Sequence, residues 1–397
     1  MKQSRKRILA PLVLVASLAM VLTGCGTSNL GGKKADSGAG NDGPIKIGAV
    51  LDITGVGASL GVPEQNTLNM LAKQLKDSGG IDGRQVQLII EDDQSTEDGA
   101  AKATTKLIQG DNVDLVIGAS RTGPSVAMRP IAEAAKIPMI SIAANAVIVE
   151  GSKWVFKTAQ NDLVVIQRIL DDAKTKGYTK LALIRDATGF GEGVADTITK
   201  LGAERGISLV MTEAFEPSAT DFTPQMTNVR GSNADAVVIW GITPSAGLAQ
   251  KAYVQLGVNK PVYQSHGVAN AAFFDAAGEA ATGAIAPMGR LLVVDQLPKD
   301  NPQRDVIEKF KADYSGAFGD QPSSFAGHAY DAWHIAVAAM KKAGTEPAAL
   351  RDAIEQTKDY VGISGIFTMT ADNHSGLDSS ALILADAKDG RWNLYKD

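Results

Sequence analysis

One cysteine, four histidines and few aromatic residues leave this 397-residue chain little with which to cross-link itself, bind a metal or stack on bases. Cys25 stands alone, so neither an internal disulfide nor a cysteine-built zinc site can form. His266, His328, His334 and His374 are scattered, without the spacing that puts two histidines on one face of a helix. Aromatic residues make up 5%, too few for a stacking platform. Positive charge is also short. The net charge is −5, and residues 1–24 hold four cations and no acid, so the chain beyond them stands near −9. A chain without a basic face is a poor partner for phosphate backbones, which excludes nucleic acid. After the first 25 residues no apolar run is long enough to span a bilayer. The 44% hydrophobic and 21% charged content reads as globular, with length enough for two cores.

The N-terminus has its own pattern. Lys2, Arg5, Lys6 and Arg7 precede an apolar run over residues 8–21, short for a membrane span and suited to the core of an export signal. The run ends in Leu22-Thr23-Gly24-Cys25, which resembles a bacterial lipobox. Residues 1–24 are therefore expected to be a lipoprotein signal peptide, with Cys25 acylated as the new N-terminus. Each buried methylene of an acyl chain adds about 0.8 kcal/mol of membrane affinity. Residues 25–44 are rich in Gly, Ser, Asn, Asp and Lys and read as a flexible tether.

From residue 45 onward, apolar runs alternate with helical periodicity. Strands are expected at 45–51, 86–90, 113–117 and 139–142, with helices at 63–76, 96–109 and 125–135 between them. The pattern restarts with helices at 161–176, 193–205, 222–229 and 245–256 and strands at 180–184, 208–213, 236–240 and 262–264. An apolar piece at 291–294 reads as another strand. Helices at 302–318, 325–343 and 346–356 follow, then short strands near 365–369 and 381–386. The fold class is α/β: two doubly wound parallel-sheet lobes, with the chain crossing between them more than once. Two lobes with several crossings make a hinge around a cleft.

Four segments at strand ends or helix starts carry candidate chemistry. Residues 54–61 contain Gly-x-Gly-x-x-x-Gly, a loose imitation of a dinucleotide fingerprint, with Asp92 ending the next strand. The acid lies too far on, so a glycine loop that lets a ligand approach the backbone is the better reading. Gly118-Ala119-Ser120-Arg121-Thr122-Gly123-Pro124-Ser125 opens a helix, where unpaired N–H groups and the Thr122 hydroxyl suit a carboxylate. Ser141-Ile142-Ala143-Ala144-Asn145 ends a strand in small residues. Gly189-Phe190-Gly191-Glu192-Gly193 opens a helix in the second lobe. No nucleophile paired with a base is identified, and Asp331 with His334 reads as an ordinary contact within a helix. Neither an enzyme nor a cofactor is expected.

Taken in order, Ile47-Gly48, Gly79-Gly80-Ile81-Asp82-Gly83, Asp92-Asp93, Val116-Ile117-Gly118, the strand end at 140–144, Phe190-Gly191-Glu192-Gly193 and Gly267-Val268-Ala269-Asn270 resemble the leucine/isoleucine/valine-binding proteins. These are the receptors of branched-chain amino-acid ABC importers, with the periplasmic-binding type I fold. The resemblance covers roughly residues 45–396. It implies two lobes joined by a three-stranded hinge that close on a ligand. It divides the chain into an N-lobe of 45–157 plus 290–360 and a C-lobe of 158–289 plus 361–397. It also implies a monomer on the outer face of the cell membrane or in the periplasm, held by its lipid and docking on membrane permease subunits. The family's ligand contacts fall on Thr122 for the carboxylate, Ala143 and Asn145 at the strand end, Phe190 over the ligand, and near Leu60; Ala144 joins them as a small strand-end residue that leaves the backbone approachable. Two positions depart from the family. The acid that meets the ligand's ammonium is replaced by His266, and a second-lobe aromatic by Ile242. A buried ammonium without an acid is expensive. His266 near Arg121 favours a carboxylate or a neutral polar group. The ligand is either a branched-chain amino acid or a keto or aromatic acid. A ligand-sensing ectodomain that signals through a membrane partner is the alternative to delivery.

Overall fold

The computed structural model describes residues 43–395. The expected signal peptide, Cys25 and nearly all of the tether lie outside the described residues.

The first sheet holds β1 (Ile45–Leu51), β2 (Val86–Asp92), β3 (Leu115–Gly118), β4 (Met139–Ser141) and β5 (Val155–Lys157), in the order β2-β1-β3-β4-β5. All its pairings are parallel. Its central strands are buried on both faces, which is why they read as unbroken apolar runs rather than alternating ones. Between the strands run α1 (Ala58–Asp77), α2 (Glu97–Thr105) and α3 (Thr122–Ala135). Thr96 caps α2, its hydroxyl accepting from Gly99 N, with Glu97 and Asp98 in the first turn. Gly118 must be glycine: its φ is +123° and an added Cβ would stand 2.0 Å from the Val50 carbonyl oxygen.

The second unit of the pattern carries α4 (Asp162–Thr175), β6 (Lys180–Asp186), α5 (Val194–Ala203), β7 (Ser208–Phe215), α6 (Thr223–Gly231), β8 (Ala236–Trp240), α7 (Ser245–Gln255), β9 (Val262–Gln264), α8 (Ala272–Ala277) and β10 (Ile285–Met288). Then come α9 (Arg304–Phe318), α10 (Ser324–Ala343), α11 (Pro347–Glu355), a two-stranded ribbon of β11 (Tyr360–Val361) and β12 (Ile366–Phe367), and finally β13 (Ile383–Lys388) and β14 (Arg391–Leu394). The second sheet runs β14-β13-β10-β9-β8-β6-β7. It is not wholly parallel, because β13 pairs antiparallel with β10 and with β14. A chain returning from the other sheet and doubling back needs only a tight turn, which antiparallel pairing permits.

The piece expected as a strand at 291–294 is instead a 3-10 helix, Leu291–Gln296, beginning just after β10. Leu291, Val293 and Val294 are buried there, and a short apolar run does not reveal whether it is strand or buried helix. α9 and α10 pack back against α1 of the first sheet. The chain therefore passes between the sheets three times: after β5, after β10, and between β12 and β13. These passages are tied together. Thr158 Oγ1 donates to the His328 carbonyl at 2.9 Å, and Gln160 Nε2 to the Ser364 carbonyl at 2.7 Å. The Asp331 carboxylate accepts from Ile363 N and Ser364 N at 2.8 and 2.7 Å. Asp331 and His334 share a helix with no hydrogen bond joining them: Asp331 bonds this backbone and His334 stacks on Tyr330.

Candidate functional site

The carboxyl ends of both sheets face one crevice, the place where open α/β sheets bind ligands. Its outer part is a cleft of about 900 Å³. Its inner part is nearly shut, with about 30 Å³ open to a water-sized sphere. The lobes touch across it. Ser59 Oγ lies 3.1 Å from the Thr243 carbonyl oxygen and 3.0 Å from Thr243 Oγ1. Asn145 Nδ2 donates to the Gly189 carbonyl at 3.2 Å.

On the first-sheet side, the loop from β3 to α3 brings Ser120, Arg121 and Thr122 to the inner cavity. Arg121, the residue before α3, has extended backbone and no side chain caps the helix start. The first turn therefore presents its N–H groups and the Thr122 hydroxyl to the crevice. Ala143 and Ala144, at the end of β4, add small apolar wall. Ala143 N already donates to Ser141 Oγ at 3.2 Å, leaving its carbonyl for a ligand. Leu60 lines the cavity too, but from the first turn of α1, which starts five residues earlier than its periodicity suggests and runs through Pro63. Asn145 lines only the outer cleft among these residues; its Oδ1 accepts from Val147 N at 2.9 Å while its amide spans the lobes.

Arg121 is not a free cation. Its Nε donates to Asp52 and its Nη2 to the Ser95 carbonyl at 2.5 Å. Asp52 is fully buried and lies within a cluster of acids. Burial, against a hydrogen bond from Ser120 and with Asp52 and Asp93 adding to it, raises the Glu64 pKa well above the carboxylate range. Burial followed by Asp52 raises that of Asp93. Burial thus favours the protonated forms of Glu64 and Asp93, and Arg121 reaches the cavity already paired with Asp52 rather than as a bare guanidinium.

The opposite wall is apolar and aromatic. Phe190 packs on Trp240 at 5.3 Å and stands edge-on to His266 at 5.6 Å, and its carbonyl accepts from Trp240 Nε1 at 3.0 Å. Ile242 follows β8 and His266 follows β9, both on the cavity wall. Burial, then nearby Lys157, pushes the His266 pKa down to about 3. The imidazole is therefore neutral, so any preference it adds to that of Arg121 is for a neutral polar group.

Several wall residues have no counterpart in the sequence analysis, Asp186, Phe325 and His328 among them. Asp186, at the end of β6, is the only acid lining the inner cavity among the described residues. Its Oδ1 accepts from Thr188 N, Thr188 Oγ1 and Gly191 N at 3.0, 2.6 and 3.1 Å. Burial raises its pKa, opposed by those bonds and by Arg121. An acid ending a strand just before a glycine-rich loop was the available signal. Phe325 and His328 come from α10 and reach the cavity only because the chain crosses back. Gly57-Ala58-Ser59-Leu60-Gly61 also spells the Gly-x-Ser-x-Gly of a nucleophile elbow. Ser59, however, sits inside a helix and bonds Thr243, with no histidine partner. Asp92 bonds Ile53 N, Thr54 N, Thr54 Oγ1 and Gln94 N, which closes its own loop and leaves no acid to hold a ribose.

A periplasmic binding protein family model matches residues 44–391. A Leu/Ile/Val-binding protein homolog of Brucella suis is 25% identical over 329 residues, covering 81% of this chain and 85% of that protein. An extracellular ligand-binding receptor from Rhodopseudomonas palustris HaA2 superposes with a TM-score of 0.84 at 31% identity, covering 89% of this chain and 99% of the other. The branched-chain amino acid transporter substrate binding protein LivJ from Streptococcus pneumoniae, solved with isoleucine, gives 0.78 at 25% identity, covering 89% of this chain and all of the other.

Proposed function

Because the chain belongs to the periplasmic binding protein family, we propose that it is an extracytoplasmic solute-binding protein of an ABC importer, taking a small carboxylate with an apolar body. One observation carries this reading: a single closed cavity has an uncapped helix start at Thr122 on one wall and Phe190, Ile242 and neutral His266 on the other. The carboxylate goes to Thr122, the first-turn N–H groups and the Asp52-held Arg121. The apolar body goes to Leu60, Ala143, Ala144, Phe190 and Ile242. Asn145 and Ser59 hold the lobes together once they have closed. The lobes are 45–157 plus 290–367 and 158–289 plus 383–395, the last crossing falling after β12 rather than at the expected 360, because Ile363 N and Ser364 N bond Asp331 of α10. Cys25 carries the lipid, and 25–44 tether a monomer to the outer face of the membrane, where it meets its permease.

A branched-chain amino acid is the second reading. Asp186 favours it, as a cavity-lining acid able to meet an ammonium where His266 is not, and so do the Leu/Ile/Val-binding relative and the isoleucine bound to the streptococcal protein.

A thermal-shift panel on the compact unit 43–397 separates the two. A ligand bound only by the folded state raises the melting temperature by mass action. The acid reading predicts shifts with α-keto or aromatic acids and none with leucine, isoleucine or valine. Shifts with the amino acids and none with the acids would replace it by the second reading.

A further inference from the structure

Among the residues lining the inner cavity, His266 alone has buried polar atoms with no hydrogen-bond partner in the protein, and this is so of both ring nitrogens. The residue is 6% exposed. The backbone that carries it is firmly set: Ser265 Oγ accepts from Gly267 N at 3.1 Å and donates to the Gly241 carbonyl at 2.8 Å. Its ring stands edge-on to Phe190 at 5.6 Å and to Trp240 at 5.9 Å. Packing therefore fixes the ring while leaving its donor and acceptor unmet, which is costly for a buried group. His328, the other histidine on this wall, is different: its Nδ1 lies 2.8 Å from Ser364 Oγ, and it belongs to the hinge.

Resting on the carboxylate reading above, we infer that His266 is the specificity-determining residue of the cavity and hydrogen-bonds an uncharged hydroxyl or carbonyl oxygen on the body of the bound acid. A neutral imidazole offers one N–H and one lone pair. It meets a hydroxyl through either nitrogen and a carbonyl through its N–H. The ligand's own carboxylate has a better place, at the start of α3 and Arg121. An ammonium has Asp186. A neutral oxygen has no other unmet side chain on this wall. A site built to hydrogen-bond one oxygen rejects analogues that lack it far more strongly than an apolar pocket rejects a methylene. The ligand class becomes hydroxy- or keto-substituted aryl or alkyl carboxylates.

Matched acids differing by one oxygen test this by calorimetry on the unit 43–397: benzoate against para-hydroxybenzoate, and isocaproate against its α-keto acid. In the wild type the oxygenated member of at least one pair is expected to bind about tenfold tighter or more. His266→Leu brings that ratio close to one by weakening the oxygenated acid, and His266→Gln, which keeps a donor and an acceptor, retains part of it. A ratio near one in the wild type overturns the inference, as does a preference that survives His266→Leu. If acids bind without discrimination, only the role of His266 falls. If no acid of either pair binds, the carboxylate reading falls with it. Should His266→Leu not fold, the wild-type ratio and the Gln variant decide.

Discussion

Removing the Ser59 hydroxyl should weaken ligand binding without touching the ligand. Ser59 belongs to the first turn of α1 and Thr243 to the loop after β8, so their contact joins one lobe to the other. Neither residue lines the inner cavity, though their neighbours Leu60 and Ile242 do. Ser59→Ala deletes the hydroxyl that faces both the Thr243 carbonyl and its Oγ1. Thr243 stays partly satisfied, because Asn270 Nδ2 donates to its Oγ1 at 2.9 Å. A net hydrogen bond stabilises by about 0.5–1.5 kcal/mol. If that bond exists only when the lobes are shut, losing it shifts the open–closed balance by the same amount. A ligand that requires the closed form then binds about 2- to 13-fold more weakly. Most of the change should lie in a faster off-rate, since the encounter surface of the open form is unaltered. Surface plasmon resonance measures both rates. An unchanged Kd with an unchanged off-rate would refute the claim that this contact stabilises closure. A slower on-rate alone would point to a disturbed α1 instead.

Three further outcomes follow from the same geometry. Thr122→Val should weaken binding about 10- to 150-fold by calorimetry, the usual worth of a hydrogen bond to a charged group, with little change in melting temperature. Lys157 is fully buried, its Nζ donating to the Ala159 carbonyl at 2.6 Å and to Asn161 Oδ1 at 3.1 Å, and burial lowers its pKa to about 7 despite Asp162. Its unfolded form keeps the proton up to about pH 10.4, so between there and pH 7 the unfolded state binds more protons and stability falls as the pH falls. Denaturant unfolding should show this as about 1.4 kcal/mol per pH unit relative to Lys157→Met, and parallel curves for the two proteins would contradict it. Cys25→Ser in the full chain should move the protein from the membrane fraction to the soluble one. An unchanged distribution would remove the lipid anchor from the account.

The α/β alternation was legible because strands buried on both faces, such as Ile45–Leu51 and Ala236–Trp240, stand out as apolar runs between periodic helices. Val155–Lys157 escaped notice because three residues carry no period, and Ala272–Ala277 because six barely make a helical turn and a half. Thr122, Phe190, Ile242 and His266 came from the resemblance and share one cavity. The partner of Arg121 was invisible, since Asp52 is 69 residues away and no local pattern links them. That pairing and the burial of His266 depend on the surroundings that folding assembles rather than on residue type, so the local charge balance was not legible.

Capture by closure is tested most directly by small-angle X-ray scattering of the unit 43–397 with and without a saturating acid chosen from the thermal-shift panel. A smaller radius of gyration with ligand, lost on adding a non-binding analogue in its place, is the predicted result. Saturation by calorimetry with no change in the scattering curve would contradict it, and would leave a rigid cavity in place of two lobes that close.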